Sequence, residues 1–260
     1  MLRTTVAAAA LLSFGSVAHA TTITAQVFTP TDFANLTNGA VVEDFELSSI
    51  LTGTFANTQA VRGVGSVEEG ELSGDLTTKV GTFGSLWTAG DLLGSGSTCS
   101  RFDLGAADCN GIALQKSPDD TNGQGNIVPD NGNFAINSND TQGIVWNAAL
   151  AGGTLFTTLV FAIQDAADVG AKTLTVELGD GTKAVFSGSL FGNNDTNIVK
   201  ISFDAGVASA EVSIETSRND AFTVDGAAIS PVPLPASSLL LIGGMAALAG
   251  VARRRKNKKA

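Results

Sequence analysis

Between residues 21 and 230 the chain is a succession of short runs of alternating apolar and polar residues, bounded by Gly, Asn, Asp or Ser. Successive side chains of a β-strand point to opposite faces, so this alternation predicts strands with one buried and one solvated face. In the clearest run, Leu174, Val176 and Leu178 alternate with polar neighbours. With neither heptads nor internal repeats, the pattern predicts a single all-β domain, either a sandwich or a barrel.

The pattern also predicts where the individual strands lie. Residues 155–163 are almost continuously apolar, which predicts a central strand buried on both faces. Residues 179–181, Gly-Asp-Gly, predict a tight hairpin turn. The Gly-rich residues 81–97 are expected in loops or at sheet edges. The predicted strands are 21–28, 41–47, 111–115, 134–137, 143–146, 155–164, 173–178, 183–187, 198–203, 210–215 and 221–229.

Residues 1–20 have the three parts of a secretory signal peptide. Arg3 provides the positive charge, an apolar helical stretch follows, and Ala18-His19-Ala20 is a small-x-small cleavage site. His19 is also the only histidine of the chain, so the exported protein has none. This excludes Ser-His-Asp and Cys-His nucleophilic catalysis and histidine-ligated zinc. We therefore expect no catalytic residues, with a glycoside hydrolase, which needs only two carboxylates, as the less favoured alternative.

The last thirty residues form a tail with three parts. Residues 231–236, Pro-Val-Pro-Leu-Pro-Ala, can continue neither a helix nor a central strand, so they separate the tail from the domain at 21–230. Residues 236–252 are apolar or small and, at about 1.5 Å per residue, would span roughly 25 Å as a helix. Basic residues beginning at Arg253 follow at once and are expected on the cytoplasmic side. The order predicts a transmembrane helix that holds the domain outside the inner membrane.

This tail at 231–260 resembles the VPLPA variant of the PEP-CTERM group of bacterial sorting signals. The resemblance implies that an exosortase, a membrane-embedded cysteine protease or transpeptidase, recognises the tail as its substrate near the proline motif. It also implies export in a Gram-negative bacterium, with the protein held in the inner membrane and then passed to the cell surface or an exopolysaccharide matrix. The residues that carry the resemblance are Val232, Pro233, Leu234, Pro235, Ala236, Arg253, Arg254 and Arg255.

The exported segment is strongly acidic. The full chain has 15 basic and 25 acidic residues, and seven of the basic ones belong to its two ends, which leaves eight against 25 for residues 21–230, a net charge of −17. Such a surface excludes nucleic acid as a partner and repels anionic polymers unless a cation bridges the two. Cys99 and Cys109 are the only cysteines, and a disulfide between them would stabilise the exported domain by roughly 3 kcal/mol.

Two acidic segments near the ends of the domain suggest a further resemblance. Residues 43–46, Glu-Asp-Phe-Glu, and 222–225, Phe-Thr-Val-Asp, resemble paired strands of jelly-roll carbohydrate-binding modules and lectin-like domains. The resemblance implies a single β-sandwich of jelly-roll or lectin-like type. It also implies a structural calcium held by Asp44, Glu46 and Asp225, since calcium prefers oxygen ligands. A calcium-dependent carbohydrate-binding module is therefore the alternative function, with an extracellular polysaccharide as partner. Otherwise Phe45 and Phe222 belong to the core and the acids face solvent.

The remaining candidates are interpreted mainly as structural. Residues 119–130 space oxygen ligands as an EF-hand loop does, but Asn131 stands where the bidentate glutamate is required, so a flexible surface loop is favoured. Asp165 and its neighbour Asp168 are expected in a solvated turn. Trp87 is the candidate for stacking on a sugar ring, whereas Trp146 lies in an apolar run and is expected in the core.

Overall fold

A computed structural model of the chain describes residues 21–46, 55–60, 68–72, 75–86, 112–116, 125–128, 132, 134–138, 143–166, 173–187, 194–216 and 222–232. Several predicted features lie outside these ranges: the signal segment, the tail from residue 233, residues 87–97 with Trp87, the cysteines Cys99 and Cys109, residues 119–124 and 129–130, and Asp168. Within the described ranges no helix is both long and apolar enough to cross a membrane.

The described chain is built almost entirely from β-strands. It has one short helix, α1 (Pro30–Leu36), and one 3-10 turn (Ala151–Gly153). The strands are β1 (Thr21–Val27), β2 (Val41–Glu43), β3 (Phe55–Ala60), β4 (Glu68–Leu72), β5 (Leu76–Thr78), β6 (Gly81–Ser85), β7 (Ala113–Lys116), β8 (Phe134–Asn137), β9 (Gly143–Ala149), β10 (Phe156–Gln164), β11 (Thr173–Leu178), β12 (Lys183–Ser187), β13 (Thr196–Val207), β14 (Ser209–Glu215) and β15 (Thr223–Pro231).

The strands form two antiparallel sheets. Sheet A has nine strands in the order β1-β13-β10-β15-β8-β7-β4-β3, with β2 also paired to β15. Sheet B has six strands in the order β12-β11-β14-β9-β6-β5. Two antiparallel sheets with a shared apolar core form a β-sandwich, so the predicted all-β class is confirmed. The jelly-roll or lectin-like subtype stays a prediction.

The core between the sheets is centred on aromatic rings. Trp146 of β9 is 2% exposed, and its ring stacks on Phe83 of β6 at 5.4 Å between centroids. Phe161 of β10 meets the same indole edge-on at 6.2 Å. The Trp146 Nε1–H donates a hydrogen bond to the Val80 carbonyl at 2.9 Å, which satisfies its buried polar group. The core positions predicted for Trp146 and for Phe45 and Phe222 are confirmed.

A second apolar layer covers the outer face of sheet A. Phe33 of α1 packs there against Val160, Ala162 and Ile198. The helix begins after Thr29, whose hydroxyl accepts a hydrogen bond from the Asp32 N–H at 3.0 Å, as an N-cap does. Because both faces of β10 are covered, this strand is buried on both sides, as its unbroken apolar run predicted.

Two local predictions have opposite outcomes. The turn at residues 179–181 is confirmed, with the Gly181 N–H donating to the Leu178 carbonyl at 2.8 Å between β11 and β12. The expectation for the start of 81–97 is wrong, because β6 is an interior strand paired with both β5 and β9. A Cβ at Gly81 would collide with the backbone of Asn147, so glycine allows the close approach of these two strands.

Candidate functional site

The best-defined polar site lies at the start of β15, around the fully buried carboxylate of Asp225. Its Oδ2 accepts hydrogen bonds from the backbone N–H groups of Ile127 and Val128, each at 2.7 Å. The same oxygen accepts a third bond from Asn126 Nδ2 at 3.2 Å. Oδ1 accepts one from the Gly226 N–H at 2.7 Å. One carboxylate therefore joins residues 126–128 to β15.

A bulge in β15 provides the backbone geometry of this site. Against β10 the register shifts between Val160 and Ala162, and the bulged residue Gly226 has φ of +59°. Left-handed backbone at a bulge favours glycine. A Cβ there would lie 2.6 Å from Phe33 Cζ and 2.9 Å from Val128 Cγ2. The glycine thus lets α1 and residues 125–128 approach β15 closely.

The acidic segment at residues 43–46 lies beside the same strand. Glu43, the last residue of β2, is opposite Ala227 of β15. Glu46 Oε1 accepts a hydrogen bond from the Phe134 N–H at 3.1 Å. Asp44 Oδ1 accepts one from the Glu46 N–H at 3.4 Å. Residues 43–46 and 222–225 are therefore neighbours in space, although nearly 180 positions separate them in the sequence.

Burial determines the electrostatics of this site. Removal of the Asp225 carboxyl from water raises its pKa well above the ordinary value, because a buried charge loses its hydration. The N–H groups of Val128, Ile127 and Gly226 lower the pKa, and the nearby charge of Glu46 raises it further. Desolvation is the largest of these effects, so the proton binds Asp225 more tightly in the folded state than in the unfolded chain.

The observed contacts do not fit a calcium ligand set. Calcium takes six to eight oxygen ligands, yet Asp44, Glu46 and Asp225 each use a carboxylate oxygen to accept protein N–H groups. Within the residues that the structure describes, no group of three acidic, histidine or cysteine side chains could hold a metal. The calcium site therefore stays a sequence-based prediction that the hydrogen bonding of Asp225 disfavours.

Two residues that the sequence placed in solvent belong to structured sites. Residues 125–128 lie within the segment expected to be a flexible surface loop, but Asn126 Nδ2 contacts Asp225 and also donates to the Phe134 carbonyl at 3.1 Å. Asp165 is only 3% exposed, and its Oδ1 accepts a hydrogen bond from the Asn194 N–H at 2.9 Å. The solvated turn expected at Asp165 is therefore wrong. Neither residue lies in an apolar pattern, which is the signal that predicts burial.

The other end of β15 leads into the predicted sorting motif. Val232 follows Pro231, the last residue of β15, and its N–H donates a hydrogen bond to the Leu155 carbonyl at 2.8 Å. Val232 is the one residue of that motif within the described ranges. The others lie outside them: Pro233, Leu234, Pro235, Ala236, Arg253, Arg254 and Arg255.

A groove of about 550 Å³ lies at one end of sheet B. Glu177 of β11 and Glu211 of β14 are opposite each other there, and like charges in that position repel. Lys183 Nζ is 2.7 Å from Glu177 Oε2 and offsets one of the two charges. The polar side chains that line the groove are Asn147, Glu177, Asp180, Ser209 and Glu211. The rest of the lining is apolar or glycine, and three of the five polar side chains are carboxylates, which only accept hydrogen bonds.

Comparison with known proteins gives distant structural similarity. No family model matches the chain, and neither does any curated protein. It is similar to the enzymatically active domain of tailspike protein 4 of bacteriophage CBA120, at 11% identity over 75% of this chain and 20% of that chain, with a TM-score of 0.26. It is also similar to a family 11 carbohydrate-binding module of a cellulosomal cellulase of Clostridium thermocellum, at 10% identity over 75% of this chain and 95% of that chain, with a TM-score of 0.28.

A third solved structure contains the CBM22-1-GH10 modules of endo-1,4-beta-D-xylanase 10B of Clostridium thermocellum, complexed with xylohexaose. The identity is 16% over 44% of this chain and 24% of that chain, with a TM-score of 0.25. The chain thus spans a quarter or less of the tailspike and xylanase structures. What its own coordinates define is an antiparallel β-sandwich domain with a buried carboxylate site at its last strand.

Proposed function

We propose that this chain is an exported, non-enzymatic protein of the cell surface or exopolysaccharide matrix, delivered through its C-terminal sorting tail. In this proposal an exosortase is the partner that processes the tail, and the inner membrane is where the protein is first anchored. The observation that supports it is the position of Val232. This residue still pairs with Leu155, and the proline motif continues with the next residue. The first two residues of the predicted tail, Pro231 and Val232, therefore belong to the described sandwich.

The place of β15 in the fold is consistent with removal of the tail after folding. The strand lies in the interior of sheet A, between β10 on one side and β8 and β2 on the other. Its side chains from Thr223 to Ile229 are buried. Because these contacts precede the proline motif, cleavage beyond Val232 would leave the core of the sandwich intact. The domain would then remain folded at its destination.

Mass spectrometry of the endogenous mature protein tests this proposal. We expect a chain that begins at Thr21 and lacks residues 237–260. A double variant Pro233→Ala, Pro235→Ala should retain the tail and stay in the inner-membrane fraction. The matched control Pro30→Ala changes a proline at the start of α1 and should be processed like the wild type. A wild-type protein that keeps residues 237–260 at steady state would be a permanently anchored one, and the processing proposal would fail.

A carbohydrate-binding role is the second candidate, favoured by the carboxylates of Glu177, Asp180 and Glu211 in the groove of sheet B. Carboxylate oxygens only accept hydrogen bonds, so the groove suits a ligand rich in donors, such as the hydroxyl and amine groups of a saccharide. The excess of carboxylates favours amine-bearing sugars over anionic ones.

A glycan array with the full-length protein, with and without calcium, tests this second candidate. We expect saturable binding of amine-bearing oligosaccharides that is lost in Glu211→Gln. The matched control is Glu215→Gln, in the same strand but outside the groove lining. Loss of binding in Trp87→Ala with Glu211→Gln unaffected would instead assign recognition to Trp87. Absence of any glycan signal in both conditions would contradict the carbohydrate-binding role.

A further inference from the structure

We infer that Asp225 is a metal-free clamp: its carboxylate fastens residues 126–128 across the bulge of β15 by accepting protein N–H groups, at the place where sequence resemblance implies calcium. This inference concerns the folded domain alone. It stands whether or not the tail is processed and whether or not the groove of sheet B binds a glycan.

The Asp225 carboxylate accepts hydrogen bonds from several protein N–H groups at once. A carboxylate offers about four acceptor positions, two on each oxygen. Asp225 receives four donors: three N–H groups at 2.7 Å and the Asn126 amide at 3.2 Å. Backbone N–H bonds of 2.7 Å are shorter than the usual 2.9–3.0 Å and are typical of charge-assisted bonds. Three of the four donors bind Oδ2 and fill its positions, and the fourth binds Oδ1, which keeps one position open. Each donor also presents positive charge to the place that a cation would take.

The charge of Asp225 has no cationic counterpart among the described residues. Its contacts there are with N–H groups, and the nearest charged influence is another carboxylate, that of Glu46. Converging backbone dipoles offset part of the cost of burying this carboxyl, although desolvation outweighs them and raises its pKa. Two adjacent N–H groups aimed at one oxygen form a small anion-binding nest of the kind that successive backbone amides make.

The Asp225 carboxylate holds Ile127 and Val128 against the outer apolar layer of sheet A. Ile127 and Val128, whose N–H groups it holds, pack with their side chains against the layer that contains Phe33 and Ala228. Val128 also lies over Gly226, where there is no room for a Cβ. The backbone contacts and the apolar contacts therefore fix the same short segment. Without the carboxylate the N–H groups of Ile127 and Val128 would lose their acceptor beneath this layer.

A consequence follows for the environment that the proposed function implies. The calcium concentration outside the cell is not fixed, and a fold that depended on calcium would lose stability when the ion is removed. A clamp made only of protein groups keeps β15, the strand that leads into the sorting tail, joined to the outer layer whatever the calcium concentration. The acidic residues near β15 would then serve the fold rather than a metal.

Thermal unfolding of the full-length protein in detergent tests the clamp. We expect the wild-type Tm to be the same, within about 1 °C, with excess calcium chloride and with excess EDTA. The variant Asp225→Asn should lower Tm by about 2–4 °C in both solutions, the size of shift typical for a domain of roughly 150–250 residues. Asp44→Asn is the matched control and should change Tm by less than half as much, since Asp44 accepts only one N–H, at 3.4 Å.

If Asp225→Asn does not fold, amide hydrogen exchange at Ile127 and Val128 tests the clamp instead. In Asn126→Ala the clamp loses one donor while Asp225 remains, and the Ile127 and Val128 amides should exchange at least tenfold faster than in the wild type. EDTA should leave their wild-type exchange rates unchanged. The inference is overturned if calcium raises the wild-type Tm by several degrees and Asp225→Asn abolishes that rise, or if EDTA accelerates exchange at Ile127 and Val128.

Discussion

The Asp225 carboxylate accepts a hydrogen bond from the Ile127 N–H at 2.7 Å, across 98 positions of sequence. This contact joins the last strand of the sandwich to a short segment on the outer face of sheet A. Asp225 is fully buried, so the bond forms away from competing water. Titration of this one carboxyl should therefore contribute to the pH dependence of the domain's stability.

Asp225 should make the stability of the domain depend on pH in a specific direction. Burial raises the pKa of Asp225 well above its ordinary value, so the folded state binds this proton more tightly than the unfolded chain does. Asp225 therefore contributes most to the free energy of unfolding at pH values below the ordinary aspartate pKa. This contribution falls as the pH rises towards the raised pKa of the folded state. We expect the stability advantage of the wild type over Asp225→Asn to shrink as pH increases through this window.

Urea denaturation at a series of pH values measures this difference. Asn126→Ala keeps the Asp225 carboxyl and should therefore keep the same pH dependence, although its stability is lower throughout. A difference between wild type and Asp225→Asn that grows with increasing pH would mean that the N–H donors outweigh desolvation, and the assigned direction of the pKa shift would be wrong.

Gly226 provides a prediction about packing over the bulge. The substitution Gly226→Ala places a Cβ 2.6 Å from Phe33 Cζ in a left-handed backbone conformation. Gly152 has a similar φ of +70° but nothing within 4 Å of an added Cβ, so Gly152→Ala measures the backbone strain alone. We expect about 1–2 kcal/mol of destabilisation at Gly152 and about 1–3 kcal/mol more at Gly226. If chemical denaturation gives the same loss in free energy of unfolding for both variants, the outer apolar layer accommodates the added Cβ at Gly226 without cost.

Asp165 offers a test of a buried carboxylate in strained backbone. It has φ of +59° at the end of β10, and its Oδ1 accepts the Asn194 N–H. Asparagine tolerates left-handed backbone and keeps an equivalent oxygen, whereas alanine does neither. We expect Asp165→Asn to cost less than about 1 kcal/mol, and Asp165→Ala about 2–3 kcal/mol, because the Asn194 N–H loses its acceptor. Similar losses for the two variants would mean that the side-chain oxygen contributes little.

The strands of the sandwich could be predicted from sequence because burial on one face leaves a period of two. β8, β11 and β12 begin and end at the predicted residues, and β10 differs by one residue. By contrast, β6 contains two glycines in five residues and resembles a loop, since its place between β5 and β9 depends on close backbone approach. The helix α1 was also not predicted, as it is only seven residues long and buries a single side chain, Phe33.

The candidate site could be predicted only in part, for a different physical reason. Sequence resemblance paired residues 43–46 with 222–225, and the two segments do lie beside each other. It gave no indication of Asn126, because a polar residue that satisfies a buried carboxylate has the same local pattern as one in a solvated loop. The partners of Asp225 are N–H groups of the backbone, which every residue except proline has. A site built from backbone donors leaves almost no trace in side-chain composition.

Trp146 gives a prediction for the core itself. Its indole is 2% exposed and donates to the Val80 carbonyl at 2.9 Å, between the rings of Phe83 and Phe161. The chain has two tryptophans, so in Trp87→Phe all indole fluorescence comes from Trp146. We expect a blue-shifted emission that iodide does not quench until the protein is unfolded. In Trp146→Phe we expect a loss of about 2–4 kcal/mol, because the Val80 carbonyl loses its donor and the smaller ring leaves a cavity. Quenching of Trp87→Phe by iodide in the native state would mean that the two sheets do not enclose this ring.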